Sequence, residues 1–251
     1  MSNYQRMNSF KVIIVSSLLL LMAVGASAQS RIFGTPNLIH YDSKIYHFGF
    51  SLSGGSYNYI ISTNPDFTTM DGCDSLRVAN PRGGKSFGFG IVSDIRMGKY
   101  FDLRFIPSFS FPDCQVQYFC NTDVPNISYA NGGANGIVFL DLPLLVKFKS
   151  TRMMNNVRAY VVAGAQYSFN LVYSKAKDIA NMSAHEVLLV NAHDVMAQVG
   201  VGFDFYCTYF KLATEFKFSL GLMNQLQQEG KYEGALNSLR SKGFQVSLTF
   251  E

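Results

Sequence analysis

The side chains able to do chemistry in this sequence are few and scattered. The histidines are His40, His47, His185 and His193. An imidazole serves as a general base, or activates a nucleophile, when a serine or carboxylate stands beside it. His193-Asp194 comes nearest to such a pair, with His185 shortly before it, but no serine is placed to complete either. These histidines read as polar rim residues of loops. The cysteines Cys73, Cys114, Cys120 and Cys207 fit no zinc-ligand spacing. Cys114 and Cys120 share one segment and either close a loop-stiffening disulfide or stay as two thiols. Residues 79–86, ANPRGGKS, satisfy a permissive phosphate-loop pattern. That loop works where a strand enters and a helix leaves, so that backbone amides and the helix dipole meet the phosphate. Here a long polar stretch enters and the strand-like FGFGIVSDIRM leaves, so the motif is discarded. No cofactor, metal or small-molecule substrate is indicated.

The charged residues are spaced regularly. Asp94, Arg96, Asp102, Arg104, Asp141, Lys147, Lys149, Arg158, Asp204, Lys211, Glu215 and Lys217 all fall on the polar side of alternating segments. Val138, Leu140, Leu142, Leu144, Val146 and Phe148 share one face, opposite Asp141, Lys147 and Lys149. After a short polar link, the apolar positions from Val157 to Leu171 oppose Arg158, Tyr160, Gln166, Ser168 and Asn170. Period-two alternation marks strands, and the short link makes the pair a hairpin. Limbs of about ten residues suit a tilted transmembrane strand. The same pattern recurs in Tyr46–Ser53, Ser86–Met97, Phe101–Phe111, His193–Phe205, Phe210–Leu220 and Gly243–Phe250. The expectation is all-β: an antiparallel transmembrane barrel of about eight strands over residues 46–251.

The remaining elements fit that frame. Polar Met1–Lys11, apolar Val12–Gly25 and Ala26-Ser27-Ala28 form a secretory signal peptide over residues 1–28, cleaved after Ala28. Residues 29–45 become a short periplasmic lead. Losing Arg6 and Lys11 lowers the formal charge of +4 by two, and so mild a balance suggests no nucleic-acid partner. Ile61–Lys85, Pro112–Gly136, Tyr173–Ala192 and Gly221–Lys242 are long connections, alternating strictly with short ones. Outer-membrane barrels have short periplasmic turns and long extracellular loops. The expected location is therefore the outer membrane of a Gram-negative bacterium, with lipid against the apolar face.

Turned inward, the charges should pair. A turn centred on Lys99 sets Arg96 against Asp102 and Asp94 against Arg104, and one centred on Cys207-Thr208 sets Asp204 against Lys211. An eight-stranded bore is just wide enough for its own side chains, so an ion-pair plug is expected rather than a conducting pore. Cys73 and Cys207 should lie at opposite ends and not pair. In the long loops, Ser183-Ala184-His185-Glu186 before VLLV reads as a capping box opening a short helix. Tyr232, Leu236 and Leu239 fit one helical face. These loops either dock partners or fold onto the barrel mouth.

Two stretches also carry a resemblance. DLPLLVKFKSTRMMNNVRAYVVAGAQYSFNL (Asp141–Leu171) and NLIHYDSKIYHFGFSLSGG (Asn37–Gly55) resemble the PorT/SprT family of outer-membrane barrels. The resemblance implies a non-enzymatic component of the type IX secretion and gliding apparatus, needed for cargo export. Its partners would be other secretion-system envelope proteins. The alternative is a stand-alone small barrel for attachment, envelope integrity or small-solute passage.

Overall fold

The structure is a computed structural model describing residues 35–63, 78–119, 125–130, 137–174, 187–188, 190–226 and 236–251. The expected signal peptide and its cleavage site, residues 29–34 of the lead, Cys73, Cys120, the Ser183–Glu186 capping box with His185, and Tyr232 lie outside those residues.

Alternation builds the strands. In chain order they are β1 (Tyr46–Thr63), β2 (Val78–Arg82), β3 (Gly84–Arg96), β4 (Phe101–Phe105), β5 (Ser108–Pro112), β6 (Gln115–Phe119) and β7 (Pro125–Ala130). Then follow β8 (Phe139–Lys149), β9 (Val157–Asn170), β10 (Val187–Leu188), β11 (His193–Tyr206), β12 (Lys211–Gly221) and β13 (Leu236–Phe250). The main sheet runs β1-β13-β12-β11-β9-β8-β4-β3-β5 and closes because β1 also pairs with β3. β4 and β5 are halves of one stave. Phe105 and Ser108 keep a single register against Ser93 and Gly90 on β3 and against Leu144 and Asp141 on β8. The stave is interrupted at Ile106-Pro107 because proline has no N–H for the ladder. Eight antiparallel staves therefore make a closed barrel.

The barrel is inside-out. Outward residues such as Phe48 and Ile91 are 68% and 63% exposed, whereas inward Arg104 and Lys147 are fully buried. Among the described residues no helix is long and apolar enough to cross a membrane. Strands do the crossing, because only a closed barrel or a helix satisfies every backbone group in lipid.

Beyond the membrane band the described segments depart from the expected loops. β1 and β13 stay paired up to Thr63 and Leu236, well past Ser53 and Gly243. Leu236 and Leu239 thus lie in a strand, not on a helix. A second sheet, ordered β10-β7-β6-β2, forms from the long connections. Where a short helix was expected after the capping box, Val187-Leu188 pairs parallel to β7, and Val190 bridges Leu226.

One glycine is set by a close approach. A Cβ at Gly164 would stand 2.1 Å from the Leu144 carbonyl oxygen, a backbone atom that cannot swing aside. At Gly98, in a turn, it would meet nothing within 4 Å. Gly164→Ala is expected to destabilise the barrel by about 1–3 kcal/mol, the usual cost of overpacking. Gly98→Ala should stay within about 0.5 kcal/mol. Urea midpoints of the detergent-refolded barrel would show the difference.

Candidate functional site: the sealed lumen

The lumen is closed at three levels. At the periplasmic mouth the lead turns inward through a single 3-10 turn, Tyr41–Ser43. The Asp42 carboxylate accepts hydrogen bonds from Arg158 Nη1 and Nη2 at 3.1 and 3.0 Å, from Arg152 Nε at 3.0 Å and from the Tyr206 hydroxyl at 3.1 Å. Arg152 also donates to the carbonyls of Asn37 and Leu38, and its guanidinium lies 3.7 Å from the Tyr206 ring centroid. Asn156 holds the same segment through Asn37 N–H and the Thr35 carbonyl.

Burial raises the pKa of Asp42, but Arg158 and Arg152 more than cancel that and hold it below the usual aspartate range. A carboxyl lowered in this way contributes stability that is fully present above its free pKa of about 3.9 and lost as pH falls through the folded value. A spin label at Ile39, which is exposed, should therefore gain mobility only as pH drops below about 4. In Asp42→Asn it should be mobile already at neutral pH.

The second level is a buried ion network. Arg104 forks onto Asp94, with Nε and Nη2 each 2.7 Å from a carboxylate oxygen. It also reaches Glu215 and Glu251, both at 3.0 Å. Lys147 donates to both oxygens of Asp204 at 2.9 and 2.8 Å, with its Nζ 3.8 Å from the Tyr160 ring centroid. Lys211 binds Glu251 at 2.5 Å, Lys149 binds Asp102 at 2.6 Å, and Lys217 lies 3.1 Å from Glu215. The Tyr41 hydroxyl donates to Glu251, tying the lead to the network. Charges so thoroughly desolvated persist only when paired and hydrogen-bonded.

Farther out amides and hydroxyls replace the cations as partners of the buried carboxylates. Asp141 accepts from the Ser168 hydroxyl at 2.6 Å, and Gln166, Gln198 and Ser219 surround a cavity of about 50 Å³. Gln198 donates to both Gln166 and Ser219. The third level is an apolar stopper containing Tyr57, Tyr59, Phe139, Met196, Leu226 and Leu239. Asn224 pins it by accepting from the backbone N–H groups of Leu226 and Leu239. Of the two roles left open for the long loops, these described parts take the second and fold onto the mouth.

The expected charges mostly face the lumen, with altered partners. Asp94–Arg104 pairs as expected. Arg96 and Asp102 are opposite in register, yet Arg96 turns out to the mouth and donates to the Asp42 carbonyl, leaving Asp102 to Lys149. Asp204 faces Ala213, not Lys211, because the turn closes by Cys207 N–H to the Phe210 carbonyl and shifts the register by two residues. Both charges stay on the inner face by the parity of their own strands. Arg158 turns to Asp42. The alternation missed Asp42 and Arg152, which lie outside the regular strands. Glu251 it could have found, since Thr249 and Glu251 continue the inner parity of β13.

His193 lies against Tyr167 and Phe169, with Nδ1 2.5 Å from the Tyr167 hydroxyl. Cys114 is buried beside Tyr59, and its possible disulfide involves Cys120, outside the described residues. Among the described residues no cluster of three His, Cys, Asp or Glu could hold a metal.

An apolar exterior around a sealed, charged interior is stable only with lipid outside. The chain is an outer-membrane β-barrel. The profile of the "Outer membrane protein beta-barrel domain" matches residues 133–227. No curated protein matches the sequence. Among solved structures, OprG of Pseudomonas aeruginosa aligns at TM-score 0.42 and 12% identity, over 87% of this chain and 95% of that one. Neisserial surface protein A aligns at 0.42 and 8%, over 82% and 98%. Ail of Yersinia pestis aligns at 0.30 and 10%, over 81% and 96%. At these values nothing about function passes from them to this barrel, whose place is the outer membrane of a Gram-negative cell.

Proposed function

We propose that this barrel is a non-enzymatic component of the type IX secretion apparatus, serving cargo export through the surfaces it offers to partners. The observation that supports the first half is the sealed lumen: among the described residues the Asp42 plug, the Arg104 network and the apolar stopper leave no passage for a protein through the barrel. The secretion role rests on the resemblance of Asn37–Gly55 and Asp141–Leu171 to the PorT/SprT family. The partners are other envelope proteins of the apparatus, met at the periplasmic lead, the short turns or the lipid-facing wall.

Deleting the gene should trap type IX cargo in the periplasm. Pull-down from native membranes should recover secretion-system proteins in stoichiometric amount. His193→Ala should leave secretion intact. Normal cargo secretion in the deletion strain rejects the proposal in favour of a stand-alone barrel for attachment or envelope integrity. Loss of an activity in the His193→Ala strain would instead indicate an enzyme.

A further inference from the structure

Outward of the ion network the inner wall carries a buried acid that no cation answers. Arg104, Lys147, Lys149, Lys211 and Lys217 each lie within 3.1 Å of an acid of that network. Asp141 is buried outside it, six residues from Lys147 along β8, roughly 20 Å at 3.3 Å per residue, with buried Leu145 between them. Lys217 comes nearer, one inward step along β12 from Ser219, but its ammonium is turned to Glu215. Among the described residues no basic side chain pairs with Asp141. Its carboxylate accepts the Ser168 hydroxyl at 2.6 Å, the length of a hydrogen bond to an ionised oxygen.

The hydrogen bonds around this acid all run toward it. Ser168 donates to Asp141, Gln166 Nε2 donates to Ser168 at 2.8 Å, and Gln198 Nε2 donates to both Gln166 Oε1 and Ser219. With both amide hydrogens of Gln198 given away, the relay ends in an acceptor, and Gln198 Oε1 is buried without a hydrogen-bond partner. Asp141 and Gln198 both line the cavity of about 50 Å³. We propose that this cavity binds a monovalent alkali cation, held between the Asp141 carboxylate and Gln198 Oε1.

The register of the inner ion pair supports this. Across β9, Lys147 is level with Gly200 and bonds to Asp204, four residues along β11. Asp141 is level with Asp194, and Gln198 is again four residues along. The two pairs are related by one shift of six residues, so Asp141 and Gln198 also lean toward each other over β9. In the inner pair lysine brings the positive charge; in the outer pair both members are acceptors, and the charge must come from an ion. A bridging water would satisfy both oxygens yet leave the buried carboxylate uncompensated, which is costly. One carboxylate among amides and hydroxyls balances one positive charge, whereas calcium gathers about six to eight oxygens. A water needs roughly 10–15 Å³ of such volume, so the cavity holds an ion and about two waters. The Ser86 and Ser110 side chains also line it, and a hydroxyl can turn a lone pair to the ion.

The full chain would be refolded in detergent in sodium, potassium or N-methylglucamine chloride at equal concentration, the last cation being too large for the cavity. Urea midpoints read by heat-modifiable migration should rise with sodium or potassium in the wild type, because a ligand bound only by the folded state stabilises it. Asp141→Asn should abolish the response. Asp194→Asn, at a buried acid that does not line the cavity, should keep it. Gln198→Lys sets a tethered ammonium in the place of the ion. It should be at least as stable as wild type in N-methylglucamine and indifferent to sodium, and it decides the matter should Asp141→Asn fail to fold. Equal wild-type midpoints in all three salts overturn the proposal and leave the acid to water or a proton. So does an alkali response that survives Asp141→Asn or Gln198→Lys, or one that is lost in Asp194→Asn.

Discussion

Arg104→Leu is expected to produce the greatest loss of stability of any single lumen substitution, about 3–5 kcal/mol, the usual cost of stranding a buried charge. The fully buried guanidinium contacts three carboxylates, those of Asp94, Glu215 and Glu251. A simple hairpin pair would let Asp94→Leu restore most of the loss. Here that second change removes only one of three stranded acids, and Glu215 and Glu251 keep as cations only Lys217 and Lys211, beside the hydroxyls of Tyr160 and Tyr41. Rescue in the double variant should therefore be partial. Arg104→Lys keeps the charge but loses the planar fork that reaches several acceptors at once, so it should fall between wild type and Leu. Urea titration of the refolded barrel, followed by heat-modifiable migration, measures all three. Full rescue by Asp94→Leu would mean that Glu215 and Glu251 do not depend on Arg104.

Lys147→Met is the second large effect, again about 3–5 kcal/mol, because it leaves Asp204 buried without its main donor. Methionine matches the length of the lysine stem, so the loss reports charge more than packing. Lys147 lies on β8 and Asp204 on β11, with β9 between them in the sheet, so their contact passes over β9 on the inner wall. A double-mutant cycle of Lys147→Met with Asp204→Asn should give a coupling energy of about 1–3 kcal/mol. The equivalent cycle with Lys211→Met should give markedly less, because Lys211 is taken by Glu251. Strong coupling of Asp204 to Lys211 and none to Lys147 would restore the hairpin pairing that a two-residue shift in register displaced.

These effects bear on the proposed role. A network needing so many exact matches holds the staves in a single arrangement, which suits a barrel whose contribution lies in the surfaces it presents. The Asp42 plug ties the periplasmic lead to that network, so a partner engaging the lead would be felt by Glu251 through Tyr41.

The sequence by itself determined the architecture within the membrane. There every strand obeys one rule, apolar to lipid and polar to lumen, and side-chain parity reads directly as orientation. Loop lengths supplied the direction of insertion, and the Lys99 turn supplied the register that joins Asp94 to Arg104. The rule inverts where the barrel leaves the lipid. On β13 the outward residues change from Phe244, Val246, Leu248 and Phe250 to Arg240 and Lys242, while the inward ones change from Ser247 and Thr249 to fully buried Leu239. Inward Tyr57 and Tyr59 make the same change on β1. Parity continues unbroken, but polarity reverses because water replaces lipid outside, so by its alternation alone the extension reads as loop and as a helical face. Which acid meets which base was also decided only by the tertiary structure. Inner-face charges choose among neighbours across the bore as well as along the hairpin, and curling eight staves into a ring brings Lys147 over β9 to Asp204 and the lead's Asp42 to Arg158 and Arg152.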